Sequence, residues 1–123
     1  MKLFRPLKIK LIIAASTIIF SNPVLADLSP RAFNELINGD KTSQAMLEMY
    51  VGGVIKGYLH ANAYLAEDKQ KQIFCFNGDM TTGDALRFSK HAINEFMEKR
   101  PEDADEGVVE MLILFGLKSM YPC

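Results

Sequence analysis

Cys75 and Cys123, His60 and His91, and a scatter of carboxylates are the side chains from which this chain could build chemistry. A cysteine beside a histidine makes a nucleophile, paired histidines on one helix face hold zinc, and facing carboxylates do acid–base work. The spacing offers none of these. The histidines fall on different predicted helices, and neither has a second histidine one turn away. Asp79, Asp84 and Glu95 could supply a carboxylate pair, but helix caps and solvated faces account for them better. The serines form no nucleophile elbow. Gly52, Gly53 and Gly57 are no phosphate loop, because no strand precedes them and no Lys-Ser or Lys-Thr follows. The seven methionines and eight phenylalanines read as core. The expectation is a protein that is not an enzyme, with no cofactor and no metal site.

The N-terminal residues set the compartment. Lys2, Arg5, Lys8 and Lys10 make a basic region, and Leu11 to Phe20 is a short apolar run broken by Ser16 and Thr17. Pro23 follows, and Val24-Leu25-Ala26 has the pattern of a cleavage site between Ala26 and Asp27. This is a secretory signal peptide over residues 1–26. The alternative is an uncleaved anchor, but the run falls short of the about 20 residues a bilayer needs. Asp27, not a cysteine, stands directly after the cleavage site, so a lipoprotein is not expected. The chain is therefore read as a bacterial periplasmic protein.

Residues 27–123 form the predicted mature domain, a single unit by length. The chain has 14 Lys and Arg against 15 Asp and Glu. Removing the four basic residues of the signal leaves 10 against 15, a net charge near −5. That balance disfavours nucleic acid and anionic membrane and suits a basic protein partner. A domain this small needs a staple. In an exported chain the two cysteines are read as one disulfide, Cys75–Cys123, against the alternatives of free thiols or a bridge between chains.

The elements that must position these residues are helical. Ser29 caps a first helix with Pro30 at its first position, and Asn38-Gly39 ends it. Thr42 or Ser43 is read as the cap of a long second helix, from Gln44 to about Ala66, with Met46, Met49, Tyr50, Val54, Tyr58, Ala61 and Leu65 as its apolar positions. Gly53, Gly57 and Ala61 stand four apart and form a smooth strip. Packing inside the domain is the first reading of that strip, and a homodimer seam is the second. Ile73 to Phe76 reads as an extended segment pinned under the helices, with a turn at Asn77-Gly78-Asp79. Thr81 or Thr82 caps a third helix whose face is Leu86, Ser89, Ile93, Phe96 and Met97, and Pro101 stops it. Asp103 is read as the cap of a fourth helix, Ala104 to Met120, with Glu106 three residues on. That helix is apolar almost all round, as for a central or interfacial helix. The fold class expected is all-α, a compact bundle of four to five helices closed by one disulfide.

Three stretches carry a family resemblance. They are Tyr50-Val51-Gly52-Gly53-Val54-Ile55-Lys56-Gly57, then Phe74-Cys75-Phe76 followed by Thr81-Thr82-Gly83-Asp84-Ala85-Leu86, and finally Pro101 with the apolar helix that ends in Tyr121-Pro122-Cys123. In this order, behind a signal peptide, they resemble the Rap1a/Tai family of small exported immunity proteins over roughly residues 43–123. Asn77 stands where family members often have Pro, and Tyr121 where Phe is more usual.

The resemblance implies a periplasmic protein that binds a cell-wall amidase effector delivered by type VI secretion and obstructs its active site. It implies a helical, disulfide-bearing domain that can be dimeric, without catalytic activity or cofactor. The loops Glu67–Asp79 and Arg100–Glu106 are the candidate plugs, with Asp79, Glu102, Asp103, Asp105 and Glu106 as candidate contacts, although caps and solvation also explain these acids. Two other classes compete: an accessory subunit of an envelope complex, and a small periplasmic chaperone or acid-stress protein.

Overall fold

The computed structural model describes residues 28–123, so the predicted signal and its cleavage site at Ala26 and Asp27 lie outside the described residues. Ser29 starts the first helix as its sequence requires. Its hydroxyl accepts from the Ala32 N–H at 3.2 Å, and Pro30 follows where no N–H is needed. Helix α1 runs Pro30–Ile37 and buries Phe33 completely.

Helix α2 runs Lys41–Glu67 and begins before the predicted cap. Asp40 caps it, its carboxylate accepting from the Ser43 N–H at 2.7 Å. Asp, like Ser and Thr, satisfies one of the orphan N–H groups of a first turn. The buried stripe matches the predicted one only in part: Tyr50, Val54 and Tyr58 pack against the core, half-buried. Leu47, Val51, Ile55 and Asn62 face the core, whereas Met46 and Met49 face solvent. A helix that is apolar on most sides does not reveal by spacing alone which stripe will be covered.

Helix α3, Thr82–Lys99, starts with a complete capping box. Thr81 Oγ1 accepts from the Asp84 N–H at 3.1 Å, and the Asp84 carboxylate accepts from the Thr81 N–H at 3.4 Å. Ala85, Phe88, Ser89 and Ile93 are its buried face. A short 3-10 turn, Pro101–Asp103, follows.

Helix α4, Val109–Met120, starts five residues later than predicted. Asp103 does not cap it and pairs instead with Arg100 at 2.5 Å. The cap is main chain from the start of the domain. The Val109 N–H donates to the Leu28 carbonyl at 3.0 Å, and the Arg31 N–H donates to the Ala104 carbonyl at 3.0 Å. These two bonds stitch the entry of α1 to the α3–α4 connection.

The four α-helices pack as an all-α bundle, and no strand forms among the described residues. Helix α2 meets the other three, and α3 packs against both α2 and α4. Gly52 is where α2 and α3 approach closely: a Cβ there would stand 3.0 Å from Thr82 Cγ2. Between α2 and α3, residues 68–81 carry the extended segment expected around Phe74, which is buried. The Cys75–Cys123 disulfide closes the bundle, with the two Cα atoms 4.9 Å apart. Among the described residues no helix is long and apolar enough to cross a membrane.

Candidate functional site

The disulfide belongs to a larger lock. The Cys75 N–H donates to the Tyr121 carbonyl at 2.7 Å, and the Phe76 and Tyr121 rings meet edge to face with centroids 4.8 Å apart. On the inner side, the Asn62 carboxamide takes over the pairing that a neighbouring strand would supply. It donates to the Phe74 carbonyl at 2.6 Å and accepts from the Ile73 N–H at 2.8 Å. Segment 73–76 is thus fixed from α2 and from the end of α4 together.

The predicted strip of Gly53, Gly57 and Ala61 is not buried. All three are exposed, and a Cβ added at Gly53 or Gly57 would meet nothing within 4 Å. The first reading of the strip, packing inside the domain, is therefore corrected, and the close approach made by α2 is at Gly52 instead. Met49, 76% exposed, and Tyr64, 67% exposed, lie along the same outer side of α2.

The predicted contact acids split into two places. Asp79 is exposed in the loop before α3, where its carboxylate accepts only from the adjacent Met80 N–H at 2.9 Å. Glu102, Asp103, Asp105 and Glu106 lie beyond the other end of α3, a helix of 18 residues, or about 27 Å at 1.5 Å per residue. The structure does not bring the two groups together. Within the second group, Arg31 holds Asp105 through two bonds, Nε to Oδ1 at 2.6 Å and Nη2 to Oδ2 at 3.2 Å. That hydrogen bond and the guanidinium charge keep the Asp105 carboxyl below its ordinary range. Asp103 is held by Arg100. Glu102 and Glu106 form no ion pair among the described residues.

Sequence reasoning did not single out an exposed apolar face on α4. Helix α4 buries Val109, Ile113 and Leu117, but Val108, Met111 and Phe115 on its far side stay exposed, Phe115 by 57%. Their spacing of three and four makes one stripe. Beside the stripe, α3 and α4 come together closely: a Cβ at Gly116 would lie 3.1 Å from Ala92 Cβ and 3.1 Å from Phe88 Cζ. The result is an open cleft of about 250 Å³ between the two helices, floored by Ala92, Phe96, Leu112, Phe115 and Gly116. A second, shallower depression shares Phe96, Leu112 and Phe115 and extends the cleft to Glu106, Gly107 and Val108. The all-round hydrophobicity of α4 was the available signal, and it left a central and an interfacial helix equally open without naming the exposed stripe.

The rim of this cleft is charged. Glu95 accepts from Lys99 Nζ at 2.5 Å, which holds its carboxyl below the usual range. His91 lines the rim one turn before Glu95. This carboxylate at the fourth position makes a histidine–carboxylate pair, but no third ligand completes it: among the described residues no group of three or more His, Cys, Asp and Glu side chains could hold a metal ion. The arrangement suits the covering of an apolar segment more than bond-breaking. No family model, no curated protein and no solved structure matches this chain.

Proposed function

We propose that this chain is a periplasmic immunity protein that binds a peptidoglycan amidase delivered by type VI secretion and blocks it stoichiometrically. The observation that carries the reading is an open apolar face on a domain whose irregular segment is fixed at 73–76 from α2 and from the end of α4. A rigid surface of this kind loses little conformational entropy on association. The excess of carboxylates speeds encounter with a basic partner. The export signal read in residues 1–26, the disulfide and the three stretches that resemble Rap1a/Tai proteins fit the same reading. The chain acts by occupying a surface of the amidase, without catalysis of its own.

The test is an inhibition assay on the oxidised domain from Asp27 onward. Type VI amidase effectors from the same strain are titrated with the domain while release of peptidoglycan fragments is followed. Loss of hydrolysis at fixed stoichiometry, with a complex of matching mass, supports the proposal. Hydrolysis that continues for every effector in excess domain removes it. The exposed outer side of α2, with Met49 and Tyr64, favours a second reading as an accessory subunit of an envelope assembly. In that case pull-down recovers a stable assembly without a hydrolase. A chaperone would recover many unrelated clients instead.

A further inference from the structure

We infer that the α3–α4 cleft receives an amphipathic helical segment of the partner protein, with apolar residues along one side and Lys or Arg at the end that meets Glu106. The inference names the surface through which the inhibitor works and rests on that reading for which protein carries the segment.

Two observations carry it. The first is shape. Val108, Met111 and Phe115 form one exposed stripe, and Leu112 and Phe96 continue it into the cleft toward α3. From Val108 to Phe115 the stripe advances seven residues, about 10.5 Å at 1.5 Å per residue. It matches the apolar side of a partner helix presenting residues at i, i+3 or i+4, and i+7.

The second observation is charge. Both cations on the rim are already held by acids of this chain, Lys99 by Glu95 and Arg100 by Asp103, each at 2.5 Å. The charge left over is negative and lies at one end: Glu106 on the rim and Glu102 nearby in the same loop. An acidic end on an apolar trough selects a segment with a basic end. It repels an anionic membrane surface, which would otherwise compete for an exposed apolar face.

The experiment uses two synthetic peptides of about 14 residues, side-chain bridged to hold the helix, with Leu at helical spacing. One ends in Lys-Arg and its twin in Glu-Glu. Binding to the oxidised domain is measured by fluorescence anisotropy, and the site by amide chemical shifts. The expected result is binding of the basic-ended peptide at least about tenfold tighter than its twin. Shifts should centre on Met111, Phe115 and Gly116. Phe115→Glu should abolish binding while leaving the helical circular dichroism unchanged, because the side chain is exposed. Glu106→Lys should reverse the preference between the two peptides.

Equal binding of the two peptides, binding that survives Phe115→Glu, or no binding of either peptide at millimolar concentration overturns the inference. So does sedimentation showing a dimer that Phe115→Glu dissociates, since the face then belongs to a second copy. If peptide binding fails while an amidase is still inhibited, the inhibitor reading stands and its surface lies elsewhere. If peptide binding succeeds and no amidase is inhibited, the cleft stands and the inhibitor reading falls.

Discussion

Asn62 holds Phe74 by its main chain across 12 residues of sequence, its Nδ2 donating to the Phe74 carbonyl at 2.6 Å. The same side chain accepts from Ile73, so one buried carboxamide satisfies main-chain groups of a segment that has no strand partner. Replacing it leaves the Phe74 carbonyl buried and unpaired and strips the Ile73 N–H of its acceptor.

Asn62→Ala should therefore destabilise the domain by about 2–4 kcal/mol, from the lost bonds and the unsatisfied groups they leave behind. For a domain of this size that is a fall in Tm of about 10 °C or more. Thermal denaturation followed by circular dichroism checks it. A Tm within about 2 °C of wild type would show that segment 73–76 is held from the end of α4, by the disulfide and the Tyr121 contacts, without Asn62.

The disulfide joins residues 48 apart in sequence. Loop-closure entropy for such a separation contributes about 4 kcal/mol. The double variant Cys75→Ser, Cys123→Ser should melt well below the oxidised wild type. It should coincide with wild type melted in reductant. If reductant leaves the wild-type Tm unmoved, the bridge adds nothing to stability.

The glycines of α2 should part company under substitution. Gly53→Ala and Gly57→Ala place a methyl in open space, and each should raise stability by up to about 1 kcal/mol through better helix propensity. Gly52→Leu forces a side chain against Thr82 and should lower it. Equilibrium denaturation of the three variants is the check. Loss of stability at Gly57→Ala, with a change in sedimentation, would place a second molecule on that strip.

Acid should weaken the fold in one direction. Hydrogen bonds hold four carboxyls below their usual range: Asp84 from Thr81, Asp105 from Arg31, Glu95 from Lys99, and Asp40 from the Ser43 N–H. The unfolded chain takes up these protons first, at about pH 4, so it binds more of them than the folded chain as pH falls. The stability these groups contribute is complete above that range and is lost as pH drops through the folded values. A Tm profile flat from about pH 7 to about pH 5 and falling below about pH 4 is expected. Asp84→Asn should flatten part of that fall. A Tm that rises below pH 4 would contradict the assignment.

A side chain beside the element was a sufficient guide at α1 and α3, but not at α2, where Asp40 took the cap expected at Thr42 or Ser43. Ser29-Pro30 and the Thr81–Asp84 box start α1 and α3 where their local hydrogen bonds place them. The cysteine pair was legible for a similar reason, as the chain holds only two. The start of α4 was not legible, because its cap is the carbonyl of Leu28 and no residue near Val109 announces it. The acids at 102–106 carried a capping pattern that tertiary packing overrode. Asn62 gave no signal in the sequence, because its partners Phe74 and Ile73 lie 12 and 11 residues further along the chain. The open cleft was hidden for a different reason. Hydropathy marks α4 as apolar on most sides but does not say how many neighbours will arrive, and in the fold only one side is fully covered.

The main-chain stitching of the α3–α4 connection bears on how such a protein changes over generations. Leu28 and Ala104 secure that connection through carbonyls, which every residue possesses. Helix α4 therefore keeps its starting point whatever side chains occupy positions 102 and 106. Both side chains are exposed and unpaired among the described residues, so substitutions there should leave the fold in place. The charge of this loop can therefore change one residue at a time over a lineage, with each intermediate still a folded protein.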